Sequence, residues 1–135
     1  MSFLNKISEN GHWLIRLSLS AIFLFHGLTK FPMAEMMAQN MGMPLAMIYM
    51  LAFAEVVGGI LILAGVFINE LATRVAGAIF SVTMLGAITM VHAPQWSFVA
   101  SESHPMGGME FQVLVALVSL LFVAGGNKAF VTSTT

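Results

Sequence analysis

Hydrophobic residues fall in four long blocks along this chain, separated by short polar breaks, and not in the strict alternation of half-buried strands. The blocks cover residues 13–31, 44–68, 71–92 and 108–124. Each is long enough to cross about 30 Å of hydrocarbon as a helix, which takes roughly 17–25 residues. The pattern predicts an all-α integral membrane fold: one domain over residues 1–135, built as a four-transmembrane-helix bundle. Pro32 and Pro44 mark expected helix ends. The Met-rich stretch between them, broken by Gly42, has room for a short interfacial helix. Residues 93–107 form the longest loop, with Pro94 and Pro105 near its ends. Trp96 and Phe98 in that loop suit a membrane–water boundary.

Composition supports this class, since 59% of the residues are hydrophobic and 8% are charged. A water-soluble surface needs far more charge. The first block has a basic start (Lys6, Arg16), as a secretory signal would, but it runs into His26, Leu28 and Lys30 without a cleavage pattern and is expected to be retained. Four crossings put both termini on one side, with Lys6, Arg16, Arg74 and Lys128 on that face and Lys30 on the other. The basic bias predicts both termini in the cytoplasm and a multi-pass protein of the bacterial inner membrane. A formal net charge of −1 without a basic tract gives no footprint for nucleic acid. The absence of Cys excludes disulfides, thiol redox chemistry and iron–sulfur ligation by this chain.

Against this apolar background the ionisable residues stand out. Glu55 lies deep in the second block, about 16 Å below Pro44 at the helical rise. An ionised carboxylate there costs a few kcal/mol by insertion scales unless it is neutralised, paired or turned to a polar cavity. On the first block Arg16, Ser20, Phe23, Gly27 and Lys30 follow steps of three and four residues and share one face, with His26 one turn before Lys30. On the third, Arg74 and His92 are five whole turns apart, with Gly77, Ser81, Leu85 and Ile88 close to the same line, which predicts an inward face. Arg74 can also pair with Glu70 at i, i+4.

These positions converge on the outer half: His26, Lys30, Glu55, His92 and Glu110, with Glu102 and His104 in the overlying loop. They are expected either to close around one cavity or to form interhelical ion pairs, such as Lys30 with Glu55 or Glu110, that hold the bundle together. Arg16 and Arg74 form the structural ion network of the inner half. Small residues such as Ser18, Ser20, Gly58, Gly59 and Gly77 favour close helix packing, and self-association as a homo-oligomer in the bilayer fits the same surfaces.

Seven of the twelve Met residues lie between positions 33 and 50. Thioether and imidazole ligands together suit Cu(I), although Met is also a common filler of apolar surface. No Cys and no tight, repeated His and Met spacing marks a copper site, and no spacing fixes a His pair for haem.

The order Arg16, Gly27, Lys30, then Glu55, Gly58, Gly59 and Gly65, then Arg74 with His92, and finally Gly108, Glu110 and Gly125-Gly126-Asn127-Lys128, resembles the DoxX-like family of small four-helix bacterial membrane proteins. The resemblance covers nearly the whole chain. In the family the last exit more often reads Gly-Pro-Gly followed by a basic residue; here the Pro is missing and the tail is short. The resemblance implies the four-span fold and a role for Arg16, Lys30, Glu55, Arg74, His92 and Glu110. It also implies an association with quinone-linked redox enzymes.

The expected function is therefore a quinone-linked redox membrane subunit. His26, Lys30, His92 and His104 would hold the quinone carbonyls, and Glu55 or Glu110 would exchange protons. Besides membrane lipids, the expected partner is a soluble redox protein, since this chain carries no self-sufficient redox centre. The alternatives are a small transporter or a lipid- or metal-handling protein, and a non-catalytic membrane partner of a redox complex.

Overall fold

The computed structural model describes residues 3–129, with side chains from residue 10 onward. The Lys6 side chain and the tail beyond Ala129, both used in the orientation and tail expectations, lie outside the described residues. The described chain is all helical and without strands: α1 (Phe3–Met41), α2 (Leu45–Ile68), α3 (Glu70–Ala87) and α4 (Glu110–Gly125). A π-helical turn, Ile88–His92, continues α3, and a 3₁₀ turn, Gly126–Lys128, follows α4. Among the described residues four helical stretches are long and apolar enough to cross a membrane. They run up and down, so the start of α1, the α2–α3 turn and the end of α4 share one end of the bundle (the terminal end). The α1–α2 turn and the loop 93–109 share the other (the loop end).

Consecutive helices make the main contacts, α1 on α2, α2 on α3 and α3 on α4. Small residues set their spacing, as the sequence predicts. A Cβ on Gly27 would stand 2.9 Å from the Ala52 carbonyl, and one on Gly77 would stand 2.8 Å from the Ser119 carbonyl. Around these approaches Leu19, Phe23, Ile62, Phe80 and Phe122 form the core. Phe23 and Phe80 stack with ring centroids 3.8 Å apart.

Two local features correct the sequence expectation. First, α1 does not end at Pro32 but runs on to Met41 with Pro32 inside it. The missing N–H costs one backbone hydrogen bond, but the next turns gain a packing surface, because Ala34 and Ala38 are buried against Ile48 of α2. At its rise per residue the 39-residue α1 is about 58 Å long, well beyond the hydrocarbon thickness. The stop comes instead at Gly42, where φ is 62°. The Met43 N–H reaches the Ala38 carbonyl at 3.0 Å and the Gly42 N–H reaches Gln39 at 3.4 Å, the pattern of a Schellman cap. Met37, Met41 and Met43 pack on the Ala34, Ala38 and Ile48 cluster beside that cap, so part of the methionine enrichment serves the helix stop.

Second, the inward line on α3 is not straight. Buried positions step through Thr73, Ala76, Gly77, Phe80 and Ser81, while Leu85 is exposed. Continued at 3.6 residues per turn, that face would reach Val91. The π turn inserts one residue and gives the inward position to His92. The α2–α3 turn is a single residue, Asn69, whose side chain caps α3 by accepting from the Ala72 N–H at 2.8 Å.

Candidate functional site

Most of the buried polar side chains of the described residues fall in three separate groups. The first lies toward the loop end, between α1 and α2. Lys30 Nζ donates to Glu55 Oε2 at 2.6 Å, and Glu55 is 2% exposed. Lys30 also donates to the His26 backbone carbonyl at 3.3 Å. The predicted Arg16, Ser20, Phe23, Gly27 and Lys30 face is the one α1 turns inward, and this is what brings Lys30 to Glu55. The His26 ring stands on the exposed side of the helix, edge-on to Phe25.

The second group closes the loop end. His92, 7% exposed, has Nδ1 2.9 Å from the Gly107 carbonyl and Nε2 2.9 Å from Gln112 Nε2 on α4. A carbonyl only accepts, so Nδ1 carries the proton and Nε2 accepts from Gln112 in this arrangement. The loop that supplies Gly107 folds on itself. The N–H groups of Gly108, Met109 and Glu110 donate to the carbonyls of Ser97, Gln95 and Trp96, which ties the loop to the start of α4 and satisfies the N–H groups of its cap, Met109, and first residue, Glu110. His104 stays in the loop, with Nδ1 near Ser103 Oγ and Nε2 3.2 Å from the Ala93 carbonyl. Glu102 is exposed.

Glu110 stands apart from both groups. It is half-buried at the start of α4, and no side chain among the described residues bonds to its carboxylate. It lines an open cavity of about 460 Å³ with Phe98, Phe111 and Leu114, inside the roughly 300–1,000 Å³ range of small-molecule sites. Phe111 and Leu114 also line a second cavity of about 280 Å³, which continues between α1 and α4 along Leu14, Leu19 and Ile22 on one side and Val115 and Val118 on the other. The two cavities share Phe111 and Leu114, so an apolar groove in the seam between α1 and α4, open at the outer surface of the bundle, adjoins a pocket bordered by a carboxylate at the loop end.

The third group lies at the terminal end, where the sequence places only Arg16 and Arg74. Arg16 is fully buried. It donates to the Ile62 carbonyl at 2.5 Å, to Thr73 Oγ1 at 3.2 Å and to Asn127 Oδ1 at 3.1 Å, and its guanidinium lies 4.8 Å from the Phe122 ring centroid. Thr73 donates to the same Asn127 oxygen at 2.5 Å, and Asn127 Nδ2 donates to the Gly65 carbonyl at 3.0 Å. The turn that aims Asn127 inward needs Gly126, whose φ is 55° and whose missing Cβ leaves room for the Glu70 side chain. Glu70 in turn holds Arg74 at 2.5 Å, the i, i+4 pair expected from the sequence, and Arg74 Nη1 donates to the carbonyls of Val123 and Ala124.

The predicted site residues are thus distributed and do not gather in one cavity. Lys30 meets Glu55; His92 joins the loop to α4; His104 holds the loop; Glu110 borders the groove; His26 faces outward. Thr73, Gln112 and His12 escaped the sequence reading, and Asn127 entered it only as part of the family-like exit, without its tie to Arg16. His12 alone carried a usable signal, its i, i+4 spacing from Arg16.

This arrangement can be set beside known proteins. The DoxX family model matches residues 11–93. The chain is 34% identical over 128 residues to a Bacillus subtilis (strain 168) protein named "Putative oxidoreductase CatD", an alignment spanning 93% of this chain and 86% of that relative. The chain belongs to the DoxX family. In this DoxX protein the matched stretch holds Arg16, Lys30, Glu55, Arg74 and His92, whereas Glu110 and Asn127 lie beyond it. No solved structure matches the DoxX chain.

Proposed function

We propose that this protein is a quinone-linked membrane subunit of a redox assembly, with the quinone seated in the α1–α4 groove and its head group beside Glu110. The observation that carries the reading is the continuity of a lipid-open apolar groove with a carboxylate that has no side-chain partner among the described residues. Glu55 is already engaged by Lys30, so it serves the bundle, and Glu110 is the acid left to exchange a proton. Phe98 and Phe111 offer aromatic faces to a flat ring. The seam offers an isoprenoid tail a path along the helices. The donor chemistry fits the group: a carboxyl for a ring oxygen, and apolar walls for the rest.

A bound quinone would supply a carrier of two electrons and two protons. The chain lacks Cys, and among the described residues no three His, Asp or Glu side chains stand close enough to hold a metal. In this reading the electron pair comes from a soluble redox protein, and the DoxX relative named as an oxidoreductase supports the redox class. The basic bias supports termini on the cytoplasmic side of a bacterial inner membrane. The Lys30–Glu55 pair, closed within the bundle, and the terminal network that ties Arg16 to Thr73 and Asn127 favour as second reading a membrane partner whose own residues do no chemistry.

Titration of the purified protein with a quinone series should raise its thermal stability. Leu114→Trp, which fills the groove, should weaken a long-tailed quinone by about tenfold, the equivalent of 1.4 kcal/mol, and spare a tail-less analogue. Glu110→Gln should keep binding and slow quinone-coupled turnover in the reconstituted assembly. Absence of any stability shift across the series would sink the reading and leave the non-catalytic partner role.

A further inference from the structure

We propose that His12 and Arg16 form an oxyanion site at the terminal end of α1, which takes a phosphate oxygen of a phospholipid headgroup. Arg16 is a fully buried cation, and its partners are two carbonyl oxygens, one hydroxyl and an aromatic ring. Among the described residues no carboxylate reaches it; Glu70 at the same end is bound to Arg74. A charge withdrawn from water needs a counter-charge or a full set of hydrogen bonds. Arg16 has neither, because its Nε–H is covered and has no partner.

A second, independent atom tells the same story. His12 Nδ1 is also covered and also without a partner. His12 and Arg16 are four residues apart on α1 and so share one face. Long helical side chains lean toward the helix N-terminus, the direction in which His12 lies from Arg16. With its proton on Nδ1, His12 becomes a second donor beside Arg16 Nε–H. Two unsatisfied donors beside an uncompensated cation match one anionic oxygen.

The location selects the ligand. Trp13 lies next in sequence, with its ring 5.5 Å from that of His12 and 5.8 Å from Phe67 on α2. Aromatic side chains of this kind gather at the headgroup level of a bilayer. The His12 residue is half-exposed there, which places the edge of the site at the membrane surface.

The test uses purified full-length protein in detergent, with three probes: phosphatidylglycerol, a neutral diacylglycerol of the same chains, and inorganic phosphate. Native mass spectrometry and thermal melting should show phosphatidylglycerol retained and stabilising, and the diacylglycerol neither. His12→Leu, which removes no hydrogen bond made by Nδ1 in the apo protein, should melt like the wild type without lipid. It should lose about tenfold or more in phosphatidylglycerol retention. Inorganic phosphate that stabilises wild type but not His12→Leu supports the oxyanion site with a free anion as its source. Equal phosphatidylglycerol retention by both proteins, or no effect of either phosphate compound on the wild type, overturns the proposal and leaves a bridging water between the two nitrogens.

Discussion

Lys30→Met is expected to destabilise the folded protein by about 3–5 kcal/mol, and the double substitution Lys30→Met/Glu55→Leu to recover most of that loss. The ion pair spans α1 and α2 at 2.6 Å, with the carboxylate side of it almost wholly buried. Removing one partner abandons a charge in a medium that solvates it poorly, and this, more than the lost attraction, sets the cost. Removing both abandons nothing, and replacement of a buried pair by apolar side chains is often neutral or stabilising. Reversible unfolding in mixed micelles, followed by circular dichroism, measures both variants. A Lys30→Met protein as stable as the wild type would show that the pair does not hold α1 to α2. A double variant that also stays unstable would assign Glu55 a role beyond this pairing.

Asn127→Leu is expected to cost about 3 kcal/mol or more, because three bonds meet at one side chain. Its loss strands an Arg16 donor, the Thr73 hydroxyl and the Gly65 carbonyl together, each at about 1–3 kcal/mol. Arg16 cannot escape by losing its proton, since its guanidinium stays charged under all ordinary conditions. Asn127→Asp separates charge from shape. It keeps an acceptor for Arg16 and Thr73, adds a counter-charge and loses only the donor to Gly65, so it should stay within about 1 kcal/mol of the wild type. The same unfolding assay decides it. Equal stability of Asn127→Leu and wild type would mean that the terminal network contributes nothing to holding the bundle closed.

These two networks also show what a sequence can disclose. The four spans were legible because hydropathy depends on composition over some twenty residues, and the observed α2 and α3 begin within a residue of the expected limits. The inward face of α1 was legible because it follows one helix's own periodicity, from Arg16 through Phe23 to Lys30. The end of α1 was not, because packing of Ala34 and Ala38 on Ile48 outweighs the local signal of Pro32. The ties of Asn127 and Thr73 to Arg16 were invisible for a similar reason. These residues lie 111 and 57 positions from Arg16, and only the folded chain brings them to it. The π turn that re-aims His92 defeats any count made at a fixed 3.6 residues. Glu110 was legible as an acid near a helix start; that it borders a groove and not the Lys30–Glu55 pair required the packing of α4 beside α1.

The seam between α1 and α4 opens sideways, into the plane of the bilayer. A ligand that enters there arrives by lateral diffusion and never crosses the aqueous phase. Occupancy is then governed by the mole fraction of that ligand in the membrane, not by its molar concentration in water. Diluting the protein with buffer would leave the bound fraction unchanged, whereas diluting it with lipid would empty the groove.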